Sequence, residues 1–315
     1  MDYAPARRID HDLWLIDLDF QGTPGVVGAY LVTGPDGHTL VETGPGSTLA
    51  ALEQGVRAAG ARLEDVTQLA LTHIHLDHAG AAGSLLRRLP NARLLVHPVG
   101  ATHLIDPTKL LASAARIYGN AMEGLWGPFE AVPADRVTVL AEGDMVRFGE
   151  REIRVLHTPG HAVHHVVFVD ESARTAFTGD VAGVRLGHGR YVRPPTPPPD
   201  VDVDGWHTSI HRLRGLGLHT LDTTHFGRRR DVEAHLDALA YNLDAWVGWI
   251  AGRMSAGADA AVMTSELRTK RARDVLASGG TIEDTSAYEL VTSSRMSVDG
   301  LCRYLGRKKA LTAAA

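Results

Sequence analysis

Thr72-His73-Ile74-His75-Leu76-Asp77-His78-Ala79-Gly80 is the stretch on which the reading of this chain turns. Three histidines and one carboxylate fall within six residues, directly after the largely apolar run 66–71. Imidazole nitrogen and carboxylate oxygen are the donors that borderline first-row ions such as zinc prefer. A single helix face cannot use all four groups, because residues one and two apart point in different directions. A strand end running into a tight loop can, with His73 and His75 on one side and Asp77 and His78 turned toward a neighbouring point. That division suits two adjacent metal ions better than one.

Moving outward, short apolar runs alternate with helical patterns. Residues 13–20, 26–33 and 39–43 read as strands, separated by Gly22-Thr23-Pro24-Gly25 and Gly34-Pro35-Asp36-Gly37. Gly44-Pro45-Gly46 opens a helix with Ser47 as its expected N-cap. Residues 66–71 form a buried strand, 79–89 a helix, and 93–96 a strand closing at His97-Pro98. From 98 to 133 the pattern is helical, clearest over 112–125, where Tyr118, Met122, Leu125 and Trp126 read as core packing. Strands resume over 137–140, 145–148, 153–156, 166–169 and 175–178. The proline-rich Arg193–Asp200 is expected to be a stiff ordered loop, since proline lacks the donor that helix and central strand need. A helix over 202–216, a strand over 221–224 and a long amphipathic helix from Val232 to Ile250 follow. Further helices are expected over 259–277 and 286–305, with a frayed tail from Arg307 to Ala315. The alternation of strands and helices predicts an α/β layered fold with some parallel pairing.

Four of these apolar runs end in potential ligands: His73, His75, Asp77 and His78; then His161; then Asp180; then His225. Glycine or proline flanks each, and layered α/β folds gather their sites at strand ends. Three histidines can hold one ion. Asp77 and His78 with one further histidine can hold a second, leaving Asp180 to bridge them, which is the donor demand of a two-metal hydrolytic site.

Bulk properties narrow the classes. The 315 residues suit one large domain, or one domain with an appendage, and can bury a core without disulfides. A net charge of −5 gives no basic character for a nucleic-acid partner. Cys302 is the single cysteine, so no intrachain disulfide can form, and it reads as a small packing residue. The N-terminal stretch lacks an apolar core of signal-peptide length, and no run reaches the ~20 apolar residues of a membrane span. A cytoplasmic protein is expected.

On these motifs the chain resembles the metallo-β-lactamase-fold hydrolase superfamily over roughly residues 10–250. The His-x-His-x-Asp-His block appears as His73–His78, the histidine of a Pro-Gly-His turn as His161, the aspartate after glycine as Asp180, and the late strand-end histidine as His225. The resemblance implies an αββα sandwich, with His73, His75 and His161 forming one metal site, Asp77, His78 and His225 the other, and Asp180 between them. It implies two divalent ions, zinc first with iron or manganese as alternatives, and a bridging hydroxide that cleaves an ester, thioester or lactone of a small molecule. Asp77 is the candidate proton shuttle. The glyoxalase II-like and lactonase-like branches keep this full set, whereas zinc β-lactamases usually alter it. Many relatives carry an early strand-end aspartate where this chain has Glu42-Thr43-Gly44, and Glu42 is expected to reach a hydrogen bond behind the ligands. The chain divides into a metallo-β-lactamase-like domain, 1–254, and a helical extension, 255–315, expected to act as a lid or homodimer surface.

Smaller roles fall to other residues. His165 is expected to orient a ligand, and His97 to rim the pocket. His157, His164 and His188 read as structural. Tyr191, Arg185 and Arg193 flank the proline loop and are expected mainly at the solvated surface. A mononuclear iron sulfur dioxygenase, using a subset of the same donors, is the competing function. A metal-dependent nuclease is a weaker one, disfavoured by the acidic balance.

Overall fold

The computed structural model describes residues 4–314, with side chains described as far as Leu311. Two sheets face each other. The first contains β1 (Ala6–Arg8), β2 (Leu13–Asp17), β3 (Gly28–Val32), β4 (His38–Val41), β5 (Val66–Ala70), β6 (Arg93–Val96) and β7 (Val137–Val139), paired in chain order. The second contains β8 (Met145–Phe148), β9 (Arg151–His157), β10 (Val166–Asp170), β11 (Thr175–Phe177), β12 (Thr220–Thr223) and β13 (Gly227–Arg229), again in chain order.

Period-two patterning explains the layers. In β3, Tyr30 and Val32 point into the core between the sheets, while Ala29 and Leu31 join the apolar cluster that includes the helices. In β10, Val166 and Phe168 face the opposite sheet, and Val167 and Val169 face outward onto helices. A strand buried on both faces needs helical cover on the outside. In the first half that cover is α1 (Leu49–Ala58), α2 (Leu76–Ala79), α3 (Ala82–Arg88), α4 (Pro98–Ile105), α5 (Thr108–Tyr118) and α6 (Met122–Trp126). In the second it is α7 (Val203–Gly215) and α8 (Val232–Ser255). The result is the expected αββα sandwich, extended by α9 (Ala260–Ala277), α10 (Ile282–Val291) and α11 (Ser294–Ala314).

Strand direction places the site. β4, β5, β6 and β7 run parallel, and β11 is parallel to β12. β9 and β11 are each antiparallel to β10, so they run the same way as each other. The loops leaving β5, β9, β11 and β12 carry the motif block, His161, Asp180 and His225 respectively.

Several local expectations are corrected. Ser47 is not an N-cap: its hydroxyl donates to the Leu125 carbonyl at 2.6 Å, and α1 begins after a short turn over Gly46–Thr48. The helix expected over 112–125 is two helices, because Gly119 adopts φ +52 and ends α5. The helix expected over 286–305 is likewise split, with Thr292 in extended conformation between α10 and α11. The short strand β13 after His225 was not expected, nor was β1. The tail is helical to Ala314 rather than frayed, and Ala315 lies outside the described residues. The start of the N-terminal stretch, residues 1–3, also lies outside them. Among the described residues, no helix is long and apolar enough to cross a membrane.

Candidate metal centre

The motif block leaves β5 as a short extended loop that turns into α2 at Leu76. His75, extended at the start of that turn, faces His73, while Asp77 and His78 sit inside the turn. Two glycines make the other approaches possible. Gly160, with φ +142, lies so close to Trp206 that a Cβ would come within 2.4 Å of its backbone. Gly179, with φ +47, would place a Cβ 2.3 Å from Thr72 Oγ1 and 2.8 Å from His165 Nε2. Only glycine supplies both the backbone angle and the missing side chain. His161 and Asp180 follow directly.

All seven expected ligands converge. His75 Nδ1 lies 3.0 Å from His73 Nε2 and 2.9 Å from His161 Nε2. On the other side, Asp77 Oδ2 lies 3.8 Å from His78 Nε2 and 3.5 Å from His225 Nε2. Asp180 stands between the groups: Oδ2 is 3.5 Å from His161 Nε2, and Oδ1 is 3.4 Å from His78 Nε2 and 3.3 Å from His225 Nε2. Each of the two triads could hold a metal ion by its donor spacing, as could the grouping of His73, His78 and Asp180.

The outer nitrogens fix the rings. His161 Nδ1 meets the Pro195 carbonyl at 2.8 Å, and His225 Nδ1 the Val26 carbonyl at 2.8 Å. Those contacts require a proton on Nδ1, so in the neutral ring it is Nε2 that offers its lone pair inward. Glu42 lies behind the candidate ligands: Oε1 is 3.2 Å from His78 Nδ1 and accepts from the Thr72 hydroxyl. His165 also positions the site. Its Nδ1 pairs with Thr158 Oγ1 at 2.9 Å, and its Nε2 accepts from the backbone of Asp180 and Val181 at 3.2 and 3.3 Å.

Electrostatics differ between the two sides. Burial lowers His73 well below the ordinary histidine range, His75 to about 3, and His161 below its usual value, so these rings are neutral donors of lone pairs. Burial also acts on His78, but Glu42, Asp77 and Asp180 outweigh it and raise that ring well above the usual value. Against burial, Asp180 and Asp77 raise His225 in the same way. Asp77 and Asp180 are lowered despite burial by the facing His78 and His225. His78 Nε2, His225 Nε2 and Asp180 Oδ1 are nonetheless buried without a hydrogen-bond partner. Leaving such atoms unsatisfied is costly. A cation coordinated by nitrogen and oxygen satisfies all three, so the residues fit a divalent metal.

A cleft of about 340 Å³ opens on this centre, with His75, Asp77, His161 and Asp180 at its base. Three further expectations are corrected here. His97 does not rim the cleft: it caps α4 by accepting from Val99 N at 3.1 Å and packs against His157 at 4.4 Å. Arg193 is neither solvated nor in the cleft, being buried with Nη2 donating to Ser297 Oγ at 3.0 Å and its guanidinium over Trp246. Arg185 and Tyr191 are buried too, the first donating to the Gly189 carbonyl at 2.8 Å and the second packed on Tyr288 at 5.5 Å. Conversely, His164 and Tyr118 line the cleft, although the sequence pattern read them as structural. Burial depresses His164 strongly, and its Nδ1 has no hydrogen-bond partner. Tyr118 is raised by burial and by Asp77. Neither lies in a ligand motif, and a helical period cannot distinguish a cleft wall from a core face.

Two facing sheets with a histidine–aspartate cluster at the strand ends define an αββα protein with a candidate metal centre. Residues 22–225 match the Metallo-beta-lactamase superfamily, and the chain belongs to that family. It is similar to the hydroxyacylglutathione hydrolase of Cereibacter sphaeroides ATH 2.4.9, at 33% identity over 49% of this chain and 46% of that one. It is also similar to the atrochrysone carboxyl ACP thioesterase of Aspergillus fumigatus, at 26% identity over 69% of this chain and 40% of that one. The chain thus spans less than half the length of each of these two enzymes. Among solved structures, a metallo-beta-lactamase family protein from Thermus thermophilus shares the fold with a TM-score of 0.68, at 22% identity over 96% of both chains.

Proposed function

We propose that the protein is a dinuclear hydrolase that cleaves an ester, thioester or lactone bond of a small molecule. One observation carries this reading: two donor triads flank Asp180, and three of the inward atoms are buried without a hydrogen-bond partner. His73, His75 and His161 would hold one divalent cation, and Asp77, His78 and His225 the other, with Asp180 bridging. The nitrogen and oxygen donors suit zinc first, with iron or manganese as alternatives. Bound there, such cations would supply Lewis acidity, lowering the pKa of water toward neutrality and polarising a carbonyl.

The chain's own groups supply the rest. Glu42 holds the His78 ring in register, and His165 fixes the backbone that carries Asp180. Asp77 is the most exposed carboxylate of the set at 13% and lines the cleft, so it can take the proton that the attacking water gives up and pass it to a leaving alkoxide or thiolate there. The resemblance to hydrolases, one of them a thioesterase by name, favours an acyl substrate.

A metal-quantified screen of lactones, thioesters, phosphodiesters and β-lactams tests the proposal. The expected result is hydrolysis of an acyl substrate with two ions bound per chain. One iron per chain with thiol-dependent oxygen uptake would establish the dioxygenase reading instead, and cleavage confined to phosphodiesters the nuclease reading.

A further inference from the structure

The cleft above the centre is chemically one-sided. Beyond its base, one broad part of the lining is apolar, with Val99, Leu110, Ile117, Val163, Val291 and Met296, beside polar positions that include His103, Ser113, His164 and Thr292. Val99, Ile117 and Val163 are 39%, 39% and 49% exposed, an apolar surface left open to water at this one mouth. Exposed apolar surface that lines a concave site is a binding surface more often than a packing defect. The full charges are Asp77 and Asp180 at the base, with Lys109 and Asp200 among the other lining residues.

A second cavity of about 410 Å³ abuts the first and shares Ile117, Tyr118, Pro198, Val291 and Met296 with it. The wall between them is made where α5 meets the junction of α10 and α11, and Tyr118 Oη donates to Met296 Sδ there at 3.5 Å. A thioether is a weak acceptor on an unbranched, adaptable side chain, so this contact yields readily to an apolar ligand.

We propose that the substrate carries a flexible apolar acyl chain, which lies in the cleft between α5 and the α10–α11 junction while its carbonyl sits at His75, Asp77, His161 and Asp180. This rests on the hydrolase reading above. The extension 255–315 thereby contributes Val291 and Met296 to substrate selection. Hydrolysis breaks the acyl C–O or C–S bond, water gives its hydroxyl to the acyl carbon and its remaining proton to the leaving oxygen or sulfur, and the products are the chain carboxylic acid and an alcohol or thiol.

The test uses the full metal-loaded chain with a series of linear acyl thioesters and esters from acetyl to decanoyl. In parallel, calorimetric titration with the matching linear carboxylates, on loaded and metal-stripped protein, reads the cleft without turnover. The expected result is a rise in kcat/KM and in carboxylate affinity of about fourfold per methylene until the cleft is filled, corresponding to about 0.8 kcal/mol each. Met296→Trp should shift the optimum to shorter chains, losing more than tenfold on the longest, with Ile117→Trp as a second, more exposed variant. Activity and affinity that are flat or falling with chain length, or variants that reduce all chain lengths equally, overturn the inference and leave the hydrolase reading standing. Hydrolysis of no acyl substrate, with carboxylate affinity still rising along the series, overturns the hydrolase reading instead.

Discussion

Glu42 adopts φ +68 at the end of β4, a conformation that costs a non-glycine residue about 1–3 kcal/mol. Its carboxylate contacts Thr72, His78 and Thr224, so the strained backbone aims one side chain at the back of a ligand. Groups behind metal ligands commonly contribute ~10–100-fold in affinity. Glu42→Gln is therefore expected to weaken metal binding by about that factor while preserving the fold. Competition with a calibrated chelator, alongside circular dichroism, measures both. The proposed ligands themselves should be less forgiving: His75→Ala and Asp180→Ala are each expected to abolish hydrolysis and lower the bound metal. Full activity in either variant would sink the assignment of the centre.

At the scale of elements, the C-terminal helices are joined by a buried ionic cluster. Arg271 of α9 pairs with Glu289 of α10, and Glu289 also accepts from Ser294 N at 2.9 Å at the start of α11. Burial would raise the Glu289 carboxyl, but Arg271 overrides it and holds the group at about 2, below the ordinary 4.5. A carboxylate depressed in the folded state stabilises fully above its unfolded value, and the benefit disappears as pH falls through the folded one. Glu289→Gln is expected to lose about 2–3 kcal/mol at neutral pH, since it strands Arg271 in a buried position. The difference between wild type and variant should shrink between pH 4.5 and about 2, read by urea denaturation at several pH values. A difference constant with pH would exclude the ion pair as its source. The same cluster secures the wall that Val291 and Met296 present to the cleft.

At the scale of the molecule, one apolar cluster runs from the outer faces of the sandwich through α8 into α9, α10 and α11. Trp246 and Leu243 of α8 are buried, and Tyr288 of α10 donates to the Tyr191 carbonyl at 2.8 Å beside the proline loop. A chain ending at residue 254 should expose these surfaces and aggregate, as soluble yield and dye binding would report. A soluble, cooperatively folding 1–254 fragment would show instead that the sandwich needs no cover from the extension. Stripping metal from the whole protein is expected to lower its melting temperature, because ions that bind only the folded centre stabilise it by about 2.7 kcal/mol at a hundredfold excess over Kd. Readdition of zinc should restore the transition; an unchanged melting temperature would contradict coupling between centre and fold.

Chain order alone carried much of this. A period of two marked most strands, a period of three and four marked α8, and seven donors at four strand ends pointed to the candidate centre, because ligand chemistry depends on residue type and local spacing. Glycines before His161 and Asp180 were legible as turns, though not the contacts with Trp206 and Thr72 that forbid any larger residue. Only the tertiary structure decided which polar residues near the centre face the cleft. His97 and His164 are alike in sequence as histidines near strand ends, yet one caps a helix and the other lines the cleft. Arg193 read as surface beside prolines, and it is buried because α10 and α11 return from about a hundred residues away to cover it. Such contacts are long-range: local pattern sets which face of an element is apolar, and packing alone sets what that face meets.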